Sequence, residues 1–153
     1  MAGKIKLDLD PKEPITYERE VSIPTPSGEA LKVPFTFRHR TRKEMAALAD
    51  VHVQRQREQW QELQAEALRE RQEREEAEKA GKTYLPPFKP AASLIDQALK
   101  DDAQAILDIA IGWGLAYDFN LDNVVKFLSL YAGAANVISA DYRKSMTEGR
   151  LGN

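Results

Sequence analysis

The sequence predicts an α+β protein, because its hydrophobic pattern changes period along the chain. Alternation with a period of two across the first 40 residues predicts an N-terminal antiparallel β-hairpin or small sheet. A stretch without Pro or Gly over residues 42–80 predicts a long helix, and apolar residues at three-and-four spacing after residue 93 predict a C-terminal bundle of about three helices. With 153 residues, the chain is long enough for one core with appendages.

The hairpin is predicted from two alternating runs that are joined by a turn over residues 24–28, which holds two prolines and a glycine. Pro34 lacks the amide donor of a central strand, so the second strand is expected at a sheet edge or with that side facing outward. A third strand is expected from the alternating residues Ile5, Leu7 and Leu9. The apolar side chains that share the inner face are Ile15, Tyr17, Val21 and Ile23 in the first run and Leu31, Val33, Phe35 and Phe37 in the second.

The long helix is predicted to begin at a capping box, in which Thr41 accepts from the first-turn amides and Glu44 reaches back. Gly81 and the following prolines end it, which gives a length of about 57 Å at 1.5 Å per residue. Such a helix exceeds the diameter of a small domain, and its distal part is rich in Glu and Arg. Its weak apolar stripe consists of Met45, Ala49, Val53, Trp60, Leu63 and Ala67.

Three apolar runs separated by breaks predict the C-terminal bundle. The first helix is expected from Ser93 through Trp113, Asn120 caps the second, and a hinge over residues 132–135 precedes the third, which Gly149 ends. The chain therefore divides into a hairpin region (1–40), a long charged helix (41–80), a Pro-rich linker (81–92) and a helical bundle (93–153). We expect one compact unit with a projecting helix.

Composition argues against several classes of function. The net charge of −2 gives no overall field for nucleic acid or anionic lipid, and the chain has no cysteine and no run of about 20 apolar residues that would span a membrane. His39 and His52 lie on different predicted elements without a metal-binding spacing, so no metal site is expected. Four aspartates fit a polar helix face better than a catalytic pair: Asp96, Asp101, Asp102 and Asp108. We therefore expect no catalytic residue, no enzyme activity and no cofactor.

Several short motifs occur in a characteristic order along the chain. In the N-terminal half they are a strand closed by Pro-x-Pro-x-Gly, Phe35-Thr36-Phe37 and Arg42-Lys43-Glu44. In the C-terminal half the motifs are Ile111-Gly112-Trp113, Phe119-Asn120-Leu121-Asp122-Asn123, Tyr131-Ala132-Gly133-Ala134-Ala135, Ala140-Asp141-Tyr142 and Gly149-Arg150-Leu151-Gly152-Asn153. Together they resemble the tail assembly chaperones of long-tailed, siphovirus-type bacteriophages, although the stretch 54–80 is longer than that family pattern.

The resemblance implies a non-catalytic assembly factor. Such a protein binds the tape measure protein, keeps its long helical and apolar segments soluble, and helps recruit tail tube subunits. It acts in the host cell cytoplasm and is absent from the mature virion. We also expect a homo-oligomer, because a helix of about 57 Å cannot bury its stripe within so small a domain and because exposed sheet edges invite pairing.

Two other functions remain open from the sequence. One is a permanent structural or adaptor subunit of the tail, and the other is a small nucleic-acid-binding regulator that uses the basic cluster Arg38, His39, Arg40, Arg42 and Lys43. The basic cluster lacks interleaved aromatic residues, so no nucleic acid is expected among the partners. For Trp113 a structural role between two glycines competes with a partner contact. The candidate partner-binding residues are Val53, Trp60, Leu63, Phe35, Phe37 and Trp113.

Overall fold

A computed structural model describes residues 3–148 of the chain. These residues form two compact units, one comprising residues 3–40 and 92–148 and the other residues 41–91. The first unit holds a three-stranded antiparallel sheet with three helices, and the second holds one long helix. The predicted α+β class is therefore confirmed. Within residues 3–148, no helix combines the length and apolarity that crossing a bilayer requires.

The sheet of the first unit contains the predicted hairpin. Strands β1 (Thr16–Ile23) and β2 (Leu31–Arg38) pair in antiparallel fashion along their full length. In the connecting turn Gly28 has a φ of +86°, a conformation that costs glycine little. The inner face was largely predictable from the alternation, since the buried side chains are Val21, Ile23, Val33, Phe35 and Phe37.

The third strand comes from the C-terminal half of the chain. Strand β3 (Ala110–Trp113) pairs with β2, which makes β2 the central strand in the order β1-β2-β3. The expected third strand at residues 5–9 is not formed, and its apolar side chains are exposed. Helix α2 (Ala91–Ile109) passes directly into β3, so it starts two residues before the predicted Ser93 and does not continue through Trp113.

Pro34 lies in the central strand, so the first of the two expectations for it, a position at a sheet edge, is wrong. Its carbonyl oxygen accepts a hydrogen bond from the Gly114 amide at 2.8 Å, on the side of β2 that faces β3. Because N–H and C=O of one residue point the same way in an antiparallel strand, the missing donor also faces that side, just beyond the end of β3. The proline thus removes one hydrogen bond where the ladder is already ending.

Helices α3 (Leu121–Leu130) and α4 (Ala134–Thr147) complete the first unit. Asn120 is confirmed as the cap of α3, because its side chain accepts from the Asn123 amide at 2.9 Å. The Tyr142 ring of α4 lies 5.3 Å from the Phe37 ring of β2. The helices and the sheet share a core, to which the helices contribute Ala103, Ile106, Ile109, Val124, Phe127, Leu128, Ala134, Ile138 and Tyr142. Gly149 and the motif over residues 149–153 lie outside the described residues.

The second unit is built on helix α1 (Arg42–Lys79), a single helix of 38 residues. Thr41 caps its N-terminus, where the Thr41 hydroxyl accepts from the Glu44 amide at 3.2 Å. At its C-terminus Gly81 has a φ of +69°, and the Lys82 amide donates to the Ala77 carbonyl at 2.8 Å. This is the Schellman arrangement, which satisfies the last carbonyls of a helix. The predicted start and end of the helix are thus confirmed.

The segment after Gly81 turns back along the same helix. The Tyr84 ring lies 5.4 Å from the guanidinium carbon of Arg74, and Lys89 Nζ lies 2.9 Å from Glu66 Oε2. Successive residues of the segment therefore contact successively earlier turns of α1. We call residues 82–90 the return segment.

Candidate partner-binding surface

Helix α1 carries an uncovered apolar stripe. Of residues 42–79, all of which the structure describes, none is buried. The side chains of Val53, Trp60 and Leu63 are 48%, 62% and 59% exposed. Positions 53 and 60 are two turns apart and 60 and 63 are one turn apart, so the three side chains share a face. Large apolar side chains that share an exposed face are typical of a surface that binds another protein.

A shallow depression marks the proximal part of this stripe. Its lining combines the apolar side chains of Val53 and Trp60 with the polar side chains of Gln56, Arg57 and Gln61. An indole ring beside amide and guanidinium groups can bury an apolar side chain while it donates hydrogen bonds at the rim. This chemistry suits the apolar face of another helix better than a small charged ligand.

The distal part of α1 is different, because its charges are paired within the helix. Arg71 lies 3.4 Å from Glu75, and Arg74 lies 3.7 Å from Glu70. Pairs at this spacing support helicity by only about 0.3 kcal/mol each when they are exposed. They add slightly to the stability of the helix, whereas the apolar stripe offers contact area.

The other three predicted residues lie in the first unit. Phe35 and Phe37 are fully buried and their rings stack 5.8 Å apart, so their side chains are removed from the candidate surface. Trp113 is half-buried, with its ring 5.5 Å from Phe127 and its indole nitrogen donating to the Tyr117 carbonyl at 2.7 Å. These contacts give the side chain a packing role in the described structure.

Comparison with known families decides which class of protein this is. The sequence matches the profile of phage tail assembly chaperones over residues 1–153, the whole chain. The chain belongs to the phage tail assembly chaperone family. Comparisons with curated proteins and with solved structures give no match. Family membership makes it a bacteriophage protein that acts in tail assembly and interacts with tail proteins.

The basic cluster of the chaperone is partly used for internal structure. Arg40 Nη1 donates to the Tyr142 hydroxyl at 3.1 Å, and Arg40 Nη2 donates to the Asp108 carbonyl in the last turn of α2. The Tyr142 hydroxyl in turn donates to the Arg38 carbonyl at 2.7 Å. A cation at a helix C-terminus is favourable, so Arg40 ties β2, α2 and α4 together. This use reduces the basic surface that could meet a phosphate.

Family motifs around α4 also have a structural explanation. Asp141 Oδ2 accepts from Arg19 Nε at 2.6 Å, in an ion pair that is partly shielded from solvent. Tyr17 shares a hydrogen bond of 2.7 Å with Ser145, and burial raises the pKa of the Tyr17 hydroxyl. The motif Ala140-Asp141-Tyr142 thus holds α4 against β1 and against the end of β2.

The return segment adds exposed apolar residues that the sequence patterns did not single out. Leu85 is 82% exposed and Phe88 is 88% exposed, on either side of two prolines. Two large apolar residues flanking Pro-Pro would have been a usable signal of this exposed surface, because the prolines keep that backbone extended and its side chains outward.

Lys89 lowers the pKa of the Glu66 carboxyl, first through their hydrogen bond and then through its charge.

Acidic residues of α2 accept hydrogen bonds from side chains of the same helix. Gln97 donates to Asp101 at 3.0 Å and Gln104 donates to Asp108 at 3.1 Å, both one turn apart. Burial, followed by the neighbouring Asp101 charge, raises the pKa of Asp102. Within residues 3–148, no group of three or more His, Asp or Glu side chains is arranged to hold a metal ion.

Proposed function

We propose that this chaperone binds the tape measure protein through the apolar stripe of α1, keeps that protein soluble and helps recruit tail tube subunits to it. It does so without catalysis, in the host cell cytoplasm, and it leaves before the virion is complete. The observation that carries the proposal is the exposure of Val53, Trp60 and Leu63 on a helix that buries none of its residues.

A helical client fits this surface by its chemistry. A long helix with its own apolar stripe can pack alongside α1 with side chains interdigitating along the shared seam. Complete burial of a large apolar side chain contributes about 1.5–3 kcal/mol, while association itself costs at least about 4 kcal/mol. A few such side chains therefore give moderate affinity, which suits a factor that must be released.

Without a client, the same stripe is available to a second copy of the chaperone. Two copies of α1 can cover each other's apolar side chains, and a client then competes with this self-association by mass action. We therefore propose a homo-oligomer in the absence of tape measure protein. Light scattering over a concentration series measures this directly, and a purely monomeric protein at high concentration would contradict it.

Co-expression with the tape measure protein of the same phage genome tests the client. The wild-type chaperone is expected to raise the soluble fraction of the tape measure protein and to co-elute with it, whereas Trp60→Ala with Leu63→Ala loses both effects. Leu94→Ala with Leu130→Ala is the matched control, because it truncates two exposed apolar side chains of the first unit. A client that stays insoluble with the wild type, or that is rescued equally by the Trp60 and Leu63 variant, contradicts the proposal.

Two further measurements address tube recruitment and the fate of the chaperone. Tail tube protein is expected to co-elute with the chaperone and tape measure protein together, and less with either alone. Mass spectrometry of purified virions is expected to find no chaperone peptides. Stoichiometric recovery of the chaperone would instead identify a permanent structural subunit.

A further inference from the structure

The outer edge of β1 is an eight-residue strand edge to which no strand pairs within residues 3–148. The His39 amide donates to the Ile15 carbonyl at 2.8 Å, which continues the regular register between β1 and β2. Hydrogen-bonded positions alternate in an antiparallel ladder, so the odd-numbered residues of β1 bond to β2. The backbone N–H and C=O groups that point outward belong to Thr16, Glu18, Glu20 and Ser22.

The segment 3–9 has the pattern of a strand but no partner. Ile5, Leu7 and Leu9 occupy one side of a period of two and are 90%, 76% and 87% exposed. Lys4, Lys6 and Asp8 occupy the other side. The edge of β1 has backbone donors and acceptors without a partner strand, and segment 3–9 has the pattern of a strand that could pair with such an edge.

The charges of these two elements are complementary. On its exposed face β1 presents the carboxylates of Glu18 and Glu20. Lys32 of β2 forms an exposed ion pair of 3.8 Å with Glu20. An antiparallel register that places Lys4 opposite Glu20 and Lys6 opposite Glu18 makes two favourable cross-strand pairs. In the same register Leu7 lies on the inner face beside Tyr17, which is the half-buried end of that face.

We propose that segment 3–9 of one chaperone molecule adds as a fourth strand to β1 of a second copy, in a reciprocal exchange. Residues 10–15 connect the segment to β1, and in the described structure this connection leaves segment 3–9 unpaired with β1 of its own chain. Exchange of an identical element between protomers needs no new surface chemistry and closes a symmetric dimer. This interface goes beyond the proposed client surface and is separate from it, because it lies in the other compact unit.

Charge reversal tests the exchange. Lys4→Glu with Lys6→Glu places like charges opposite each other, and so does Glu18→Lys with Glu20→Lys; each pair is expected to weaken dimerisation about tenfold or more. Mixing the two variants restores opposite charges at both contacts of a heterodimer, so the mixture is expected to dimerise as the wild type does. Lys100→Glu with Lys126→Glu is the control for the Lys4 and Lys6 variant, because it makes the same change in net charge on exposed helix positions.

Analytical ultracentrifugation of the full chain measures the dimer, and amide hydrogen exchange locates it. In the wild-type dimer, the amides of Thr16, Glu18, Glu20 and Ser22 are expected to be protected, and in the separate charge variants they exchange faster. Three outcomes would each overturn the proposal: no effect of either variant on association, no recovery on mixing, or protection of these amides in a monomer. The last outcome means that segment 3–9 pairs within its own chain. Retained tape measure binding by the charge variants separates this result from the proposed function.

Discussion

In the unit formed by residues 3–40 and 92–148, each helix buries two or more side chains in a shared core, whereas α1 in the unit formed by residues 41–91 buries none. The first unit is stabilised by apolar burial between segments that are far apart in sequence. The second relies on local interactions, namely its N-cap, its Schellman ending, its charge pairs and its return segment. The first unit therefore supplies most of the cooperative stability of the fold. Surface residues of the second unit can be changed with little effect on that stability.

Truncation of a buried aromatic ring in the first unit should have the largest effect on the free energy of unfolding. It is therefore the strongest test of the difference between the two units. Phe37 is fully buried, with the rings of Phe35 and Tyr142 at 5.8 Å and 5.3 Å. Phe37→Ala is expected to lower the free energy of unfolding by about 3–5 kcal/mol, measured by denaturant titration. Trp60→Ala removes an exposed ring from α1 and should change that free energy by less than about 0.5 kcal/mol. Equal losses in the two variants would refute the division between the units.

A smaller but sharper effect is expected where β3 ends against β2. A Cβ atom on Gly114 would lie 2.3 Å from Pro34 Cγ and 2.9 Å from Pro34 Cδ, so Gly114→Ala forces the two strands apart. We expect a loss of about 1–3 kcal/mol in the free energy of unfolding.

Two companion variants make the Gly114 prediction specific. At Gly112 the nearest atom to an added Cβ is Thr36 Oγ1 at 4.0 Å, so Gly112→Ala is the control for the loss of glycine itself. Pro34→Ala removes the ring and should recover most of the loss when it is combined with Gly114→Ala. Additive losses in that double variant would show that the clash is not the cause.

The next largest effect on stability is expected at Tyr142, whose hydroxyl is hydrogen-bonded to two other residues. Tyr142→Phe keeps the buried ring and removes the hydroxyl that bonds to the Arg38 carbonyl and to Arg40. Loss of hydrogen bonds to partly buried groups is expected to cost about 1–2 kcal/mol. Tyr117→Phe removes a hydroxyl from an exposed ring and should be neutral by the same thermal or denaturant measurement. A neutral Tyr142→Phe would mean that water replaces the hydroxyl without loss.

The smallest effect concerns the return segment and shows how weakly the second unit is held. The pKa of Glu66 is lowered by Lys89, so the contribution of this pair is present above the ordinary carboxyl pKa and is lost as the pH falls through the lowered value. NMR titration of the Glu66 carboxyl should show its pKa returning toward the ordinary value in Lys89→Met. Lys82→Met should leave it unchanged, and global stability should not move measurably in either variant. An unchanged Glu66 pKa in Lys89→Met would refute the contact.

Local signals made much of both units predictable from the sequence. The alternation located the inner face of the hairpin, and Thr41, Gly81 and Asn120 marked helix ends because capping depends on neighbouring residues only. The apolar stripe of α1 was equally predictable. The spacing of the apolar residues along a helix shows which of its faces is apolar, and that spacing is present in the sequence. The exposure of the stripe is a structural finding, and its partner stays a prediction.

What could not be predicted depends on contacts distant in sequence. Ile106, Ile109, Ala110 and Trp113 continue a helical spacing, yet the last two lie in β3 because pairing with β2 outweighs local preference. The same pairing makes β2 central and so places Pro34 inside the sheet. Phe35 and Phe37 were predicted both on the inner face of the hairpin and among the partner-binding residues. Covering by β3 and the helices buries both side chains, so only the first of these predictions fits the structure.

The late position of β3 has a consequence for synthesis on the ribosome. About 70 residues separate the end of β2 from the start of β3, and at 5–20 residues per second they take roughly 4 to 14 s to translate. During that interval α1 can complete itself as it emerges, while the hairpin has only two strands, which are marginal alone. The nascent chaperone thus displays the exposed apolar stripe of α1 before its own core can close.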